Sequence, residues 1–217
     1  MSKIFLQDSF KEFCEINKFE VNVQQVKIIN SLEKFLGNRE TILSRFIKKK
    51  EKLCFYLYGE VGVGKTMLLN FAFDRLKIRK HRQHFNEFMI NFHNFRHEKK
   101  DNNTITAFVK ELKKKYDLIY LDEFQVTNIV DAMILGKLFQ IIFEEKIKII
   151  ITTNTKLHDL YKDGLQRDQF LPFISIIENY SIQKELQIKD DYRTKNNEKP
   201  QEKLSFTKII SGIETSK

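Results

Sequence analysis

Between Leu57 and Leu69 the chain reads "LYGEVGVGKTMLL", which sets Gly59, Gly64, Lys65 and Thr66 in the order G-x-x-x-x-G-K-T. This string constrains the fold strongly, because it works only between a strand and a helix. "KLCFYLY" before it is a short apolar and aromatic run of the kind that makes a buried strand. After it, Lys65 to Leu76 carries Met67, Leu68, Phe71 and Leu76 at helical spacing, as an inward face. Glycines in the turn let backbone N–H groups close on phosphate oxygens with no Cβ in the way. The following helix adds its unpaired first-turn N–H groups and the positive end of its dipole. Lys65 supplies a point charge for the β- and γ-phosphates, and the Thr66 hydroxyl can ligate Mg²⁺. The whole loop, Gly59, Glu60, Val61, Gly62, Val63, Gly64, Lys65 and Thr66, is therefore the candidate nucleotide-binding segment.

Holding a phosphate is not hydrolysing it, and two further segments bear on the difference. "DLIYLDEF" is an apolar strand that runs straight into acids. Its Asp122 would lie at the carboxyl end of a sheet, where ligands bind, and can reach a metal's water shell. Glu123, one residue on, points elsewhere and can orient and polarise an attacking water. "KIKIIITTN" is a third core strand ending in Thr152, Thr153 and Asn154. An amide there can hold the same water or the γ-phosphate, although an Asn after a strand is equally at home in a turn.

Strands alternating with helices predict an α/β fold with a parallel, doubly wound sheet. Residues 8–50 read mainly as helix, with Val23, Val26, Ile28, Ile29, Leu32 and Phe35 spaced for one face and Gly37 as a stop. "HRQHFNEFMINFHNF" reads as a strand followed by a helix. Helices are predicted over Thr104–Tyr116, with Ile105, Phe108, Val109 and Leu112 inward, and over Ile129–Glu145, capped by Asn128. Short helices are expected over 156–162 and 168–178, and "SIQKELQI" reads as an edge strand. The chain thus divides into an N-terminal helical segment (1–50), a nucleotide-binding core (51–193) and a polar tail (194–217), whose "LSFTKII" could dock back.

Composition narrows the class further. The chain has 217 residues, room for one α/β core, and 20 Phe supply bulk for it. Lys148 and Glu144–Glu145 interrupt the longest apolar runs, so no transmembrane segment is expected. Gln7, Asp8 and Lys11 break up the opening "MSKIFLQDSFKEF" as a signal-peptide core, which leaves a cytoplasmic protein as the expectation. Cys14 and Cys54 lie far apart without metal-type spacing and read as reduced core thiols. The net charge of +9 comes from runs such as "RLKIRKHR" and "KELKKKYD". These lack interleaved aromatics and read as solvated faces rather than a nucleic-acid module. His93 and His97 are four apart, but no carboxylate sits between them in the H-E-x-x-H manner, so a metal site is not expected there.

Several stretches taken together resemble one family. "LYGEVGVGKTMLLNFAF", "HFNEFMINFH", "LDEFQVTNIVDAMIL", "TTNTKLHDLYKDGLQRDQFLPFI" and "DYR" are similar, in order and at sensible spacings, to the ZapE-type AAA+ ATPases. These are bacterial cell-division proteins with mitochondrial relatives. The resemblance covers most of residues 20–193. It implies an AAA+ core with ATP and Mg²⁺ as cofactors, a Walker A motif at Gly59–Thr66, a Walker B motif at Leu118–Glu123, and Asn154 as sensor 1. It also implies that Arg167 is an arginine finger reaching the γ-phosphate of a neighbouring subunit, so that the working form is a homo-oligomer. Thr66 and Asp122 would then be the metal-facing pair, and Glu123, Lys65, Asn154 and Arg167 the catalytic set. His84 and Arg193 also match family positions. Glu60 and Val63 depart from the family, which often has glycine and a basic or small residue there. The C-terminal lid region is expected to be absent or shortened.

The function expected from this reading is Mg²⁺-dependent ATP hydrolysis that remodels a protein partner. By resemblance the partner would be FtsZ or another division-ring component, and the location the division site, with room for peripheral membrane association. Two other readings stay open from the residues: a binding module whose grip on a partner varies with its nucleotide, and a nucleic-acid-associated loader.

Overall fold

Apolar runs of five or six residues bounded by turn formers become strands here, and longer periodic segments become helices. A computed structural model of the chain describes residues 6–37, 51–99 and 103–187. All of these fall in one unit, residues 1–187. The expectations for residues 38–50, for Arg193, for the tail over 194–217 with its "LSFTKII", and for the lid lie outside the described residues.

The elements in chain order are α1 (Leu6–Ile16), α2 (Val23–Gly37), β1 (Cys54–Tyr58), α3 (Lys65–Asp74), β2 (Lys80–His84), α4 (Phe85–Glu98), α5 (Thr104–Lys115), β3 (Leu118–Asp122), α6 (Ile129–Glu144), β4 (Lys148–Thr153), α7 (Leu171–Tyr180) and β5 (Ser181–Glu185). The five strands form one sheet in the order β2-β3-β4-β1-β5. Every pair is parallel, with Tyr56 opposite Ile151 and Gln183, and Arg82 opposite Tyr120. β1, β3 and β4 are buried through nearly their whole length, which is why they read as continuous apolar runs. β2 and β5 are the sheet's edges and carry "KHRQH" and "SIQKE", the polar sequences that edge strands tolerate.

The order places β4 between β1 and β3, so the loops leaving all three strands open on one crevice at their carboxyl ends. Beneath that crevice lies an aromatic cluster. The Phe124 ring is 4.2 Å from Phe85 and stacks on Phe173 at 5.5 Å. Phe85 directly succeeds β2 and Phe124 lies two residues past the last residue of β3, so this contact pins the ends of two strands together. On the other side α1 packs through Phe10 and Phe13 onto Phe71 of α3, at 5.1 and 5.0 Å.

Three local expectations need correction. Residues 8–37 are mainly helical, as two helices, but Val23, the first residue of α2, is 69% exposed rather than on the covered face. In α3 the buried residues are Lys65, Leu68, Leu69, Phe71, Ala72 and Phe73, whereas Met67 is only half-buried and Leu76, also half-buried, lies beyond the end of the helix. Helices lie over that face as well as the sheet, so a single-stripe reading fails. The segment over 156–162 contains one 3₁₀ turn, Leu157–Asp159, and a second turn at Arg167–Gln169 precedes α7. Pro172 in the first turn of α7 fixes where the true helix starts. His93 lies 2.7 Å from Asp131, whose backbone N–H donates to the Asn128 cap of α6 at 2.8 Å. His93 therefore joins α4 to α6, and no metal-ligating cluster of His, Cys, Asp and Glu occurs among the described residues.

Candidate nucleotide site

The loop after β1 has the conformation that its glycines permit. Gly62 and Gly64 sit at φ +83° and +87°, in the left-handed region that favours glycine. Gly59 is required by space: a Cβ there would lie 2.2 Å from the Leu186 carbonyl oxygen. Gly64 is the N-cap of α3 and makes no side-chain cap, so the first N–H groups of the helix keep their donor capacity for an anion. The Glu60 side chain is exposed while Val63 is buried. The acid that departs from the family pattern thus turns to solvent and leaves only its carbonyl in the loop.

Lys65 is 7% exposed, and its ammonium is shared among three oxygens. It donates to the carbonyls of Gly59 at 2.6 Å and Glu60 at 2.7 Å, and to Asn154 Oδ1 at 2.9 Å. Burial pulls its pKa below the ordinary lysine value, and the nearby Asp122 carboxylate opposes that fall. The ammonium still remains the cation that the loop presents.

Asp122 is the most engaged group in the cleft. Its Oδ1 accepts the Thr152 hydroxyl, the Glu123 N–H at 3.1 Å and the Thr66 hydroxyl at 3.4 Å. Its Oδ2 accepts Arg82 Nη2 at 2.5 Å. Burial alone would raise this carboxyl, but the Thr152 hydroxyl and the Arg82 guanidinium outweigh it and hold the group below the usual carboxylate range. Glu123 then breaks from the strand. It takes φ +54°, uncommon for a residue with a Cβ, and its side chain is 78% exposed. Its N–H also reaches Thr152 Oγ1 at 3.3 Å, and Phe124 N–H donates to the Thr152 carbonyl at 2.8 Å. These bonds hold the strained turn, and strain held in this way is a recurrent mark of a functional site. His84 Nδ1 lies 3.5 Å from Glu123 Oε2.

Lys65, Thr66, Asp122, Glu123, Thr152 and Asn154 line an open cleft of about 470 Å³. The donor set suits a hard cation carried by phosphates: one hydroxyl and one carboxylate, with the remaining ligands left to nucleotide and water. Arg167 does not line this cleft. Its Nη2 donates to the His158 carbonyl at 2.6 Å, and its Nη1 is buried without a hydrogen-bond partner. Sequence reasoning missed Arg82 and the Thr152 hydroxyl as neighbours of Asp122. No local pattern signals the Arg82 contact, because it depends on β2 lying beside β3.

Comparison with solved structures supplies the class. DnaA from Aquifex aeolicus, solved with AMPPCP bound, matches 82% of this chain and 51% of its own with a TM-score of 0.56 at 20% identity. The chain thus has the P-loop AAA+ fold. Within that class the sequence is more specific. Residues 7–209 match the AFG1-like ATPase family, and the chain belongs to that family. Lactation elevated protein 1 homolog B of Danio rerio is 37% identical over 154 residues, covering 65% of this chain and 31% of the relative. Cell division protein ZapE of Escherichia coli (strain K12) is 34% identical over 140 residues, 64% of this chain and 37% of ZapE. The matched region therefore spans only about a third of the length of these curated relatives. No helix among the described residues is long and apolar enough to cross a membrane.

Proposed function

We propose that the chain binds Mg²⁺ and ATP in this cleft and hydrolyses the terminal phosphoanhydride to drive rearrangement of a protein partner. The observation that carries this reading is the convergence of two halves of the site. Thr66, from the loop, lies 3.4 Å from Asp122, and Lys65 is bonded to Asn154 at the end of β4. A group merely storing a phosphate would need the loop alone.

In this reading the loop N–H groups and Lys65 hold the phosphates, while Thr66 and Asp122 would hold the metal. The metal, when bound, neutralises charge that builds on the phosphate oxygens. Glu123, open to solvent beside the cleft, orients and polarises the attacking water, and Asn154 steadies the same region. Adenine is favoured by the family's character and by the AMPPCP-bound neighbour. Arg167 would act across a subunit interface in an oligomer. The ZapE relative is named for cell division, which favours a division-ring component such as FtsZ as partner and the cytoplasmic division site as location.

Phosphate release by wild type, Glu123→Gln and Lys65→Ala, with particle size measured in ATP, tests the reading. Glu123→Gln should retain ATP binding and slow turnover by about 10² to 10⁴, the usual cost of losing a general base. Lys65→Ala should lose both. Absence of phosphate release from wild type at every protein concentration, with and without candidate partner, would refute it.

A further inference from the structure

We infer that Arg82 is a positioning residue for the metal side of this cleft: an internal cation that orients the Asp122 carboxylate, and whose hold would have to loosen for Mg²⁺ to share the same carboxylate. The inference rests on the reading of the cleft as a Mg²⁺–nucleotide site. Arg82 is the middle residue of β2, opposite Tyr120 in register, two residues before His84, which lies opposite Asp122. Alternation along the strand turns Lys80, Arg82 and His84 toward one face. Lys80 is anchored away from the cleft on the Asp74 carbonyl at 3.1 Å. Arg82 alone of the three reaches Asp122, with its guanidinium carbon 5.3 Å from the centroid of the Tyr120 ring.

The two oxygens of Asp122 have different neighbours. Oδ1 already accepts from Thr152, Glu123 and Thr66, so its lone pairs are spoken for. Oδ2 faces Arg82, and it is the oxygen with capacity left for a water of a metal's shell. The carboxylate is 4% exposed, and a buried anion without a cation is costly. Arg82 meets that need without metal. Once Mg²⁺ is bound, the same need is met twice, and the two cations repel. The guanidinium is 36% exposed on an edge strand, so it can withdraw to water where the buried Thr152 cannot. Occupancy of the metal site and the position of β2's middle residue are thereby coupled.

The test is a Mg²⁺ titration, starting in EDTA, of mant-AMPPNP binding to the full chain, monitored by fluorescence and paired with thermal melts. Arg82→Gln should lower the Mg²⁺ concentration at half-saturation by about tenfold, the scale of one charge-assisted hydrogen bond that no longer has to be loosened. The same variant should melt below wild type in EDTA without nucleotide, and the gap should narrow with Mg²⁺ and mant-AMPPNP. Arg79→Ala removes an equal charge from the Asp117 pair, just before the start of β3, and should leave the Mg²⁺ midpoint at the wild-type value. Arg82→Lys, with a single shorter donor, should shift the midpoint in the same direction by less. It carries the test if Arg82→Gln does not fold by far-ultraviolet dichroism. An unchanged or higher midpoint in the Arg82 variants, or an equal shift in Arg79→Ala, overturns the inference and leaves the nucleotide reading standing. Wild type that shows no Mg²⁺-dependent binding overturns both.

Discussion

The Thr152 hydroxyl, at the end of β4, donates to Asp122 Oδ1 at the end of the neighbouring β3, and the same oxygen of Thr152 receives the Glu123 N–H at 3.3 Å. One side chain therefore sets the direction of the metal-facing acid and the turn that carries the water-facing one. Thr152→Val keeps the shape and removes both bonds. It should weaken Mg²⁺-dependent nucleotide binding by about tenfold and cost about 1–3 kcal/mol of stability, because a buried carboxylate loses a donor. Paired binding titrations and denaturant melts check this. Unchanged nucleotide affinity would mean that the hydroxyl only fills space.

Two glycines separate steric need from mere presence. Gly59→Ala would drive a Cβ to 2.2 Å from the Leu186 carbonyl, so backbone must move, at a cost of about 1–3 kcal/mol. For a chain of this size that lowers the melting temperature by roughly 2–12 °C. Gly37→Ala, at the end of α2 with nothing within 4 Å, should stay within about 2 °C of wild type. Equal melts for the two variants would show that the Leu186 contact yields freely.

An acid-side effect is expected from the Arg79–Asp117 pair. The guanidinium's hydrogen bond, with burial opposing it, holds the Asp117 carboxyl below its ordinary value of 3.8. A depressed folded-state value contributes stability above the unfolded value and loses it as pH falls through the folded one. Melting temperature should therefore be insensitive to this pair from about pH 6 to 5 and begin to lose its contribution below about pH 4. In Arg79→Ala that component of the acid slope should shrink. Both groups are substantially exposed, so the difference is small and screened by salt. Identical pH profiles for the two proteins would discard the account.

Both cysteines are buried and unpaired, and burial raises each thiol above its usual value. Ellman's reagent at about pH 8 should find no thiol in the native chain and 2 after unfolding in guanidinium. Rapid native labelling of Cys54 would contradict its place within β1.

How much of this was legible beforehand depended on how local the cause was. The phosphate loop, "DLIYLDEF" and "KIKIIITTN" each carry their meaning in adjacent residues, because the end of a buried strand places the next few side chains at the mouth of the crevice. The parallel sheet and the placement of Asp122, Glu123 and Asn154 near Lys65 could therefore be anticipated. The pairing of Arg82 with Asp122 could not, because it depends on β2 lying beside β3, a strand order that no local pattern encodes. Within "RLKIRKHR" the arginine looks like any solvated charge, and its burial partner is 40 residues away. Val23 failed for the opposite reason: its helical spacing was right, but in the first turn of α2 it is Gln25 that is buried while Val23 is left exposed. The stretch over 156–162 is helical in composition yet makes only a 3₁₀ turn: Leu157 and Leu160, three apart, are both buried, and the Leu160 N–H closes the turn on the Leu157 carbonyl at 3.3 Å.

The ring of Phe124 has a consequence for where mutations will be felt. It stands one residue beyond Glu123, and it touches Phe85, Phe139 and Phe173 in the interior. The floor of the cleft and the hydrophobic interior are thus one piece of material. Slackening that floor, for instance with Phe173→Leu, would blur the aim of the acids above without altering any polar atom. A screen for heat-sensitive alleles should find its hits below the cleft as readily as within it.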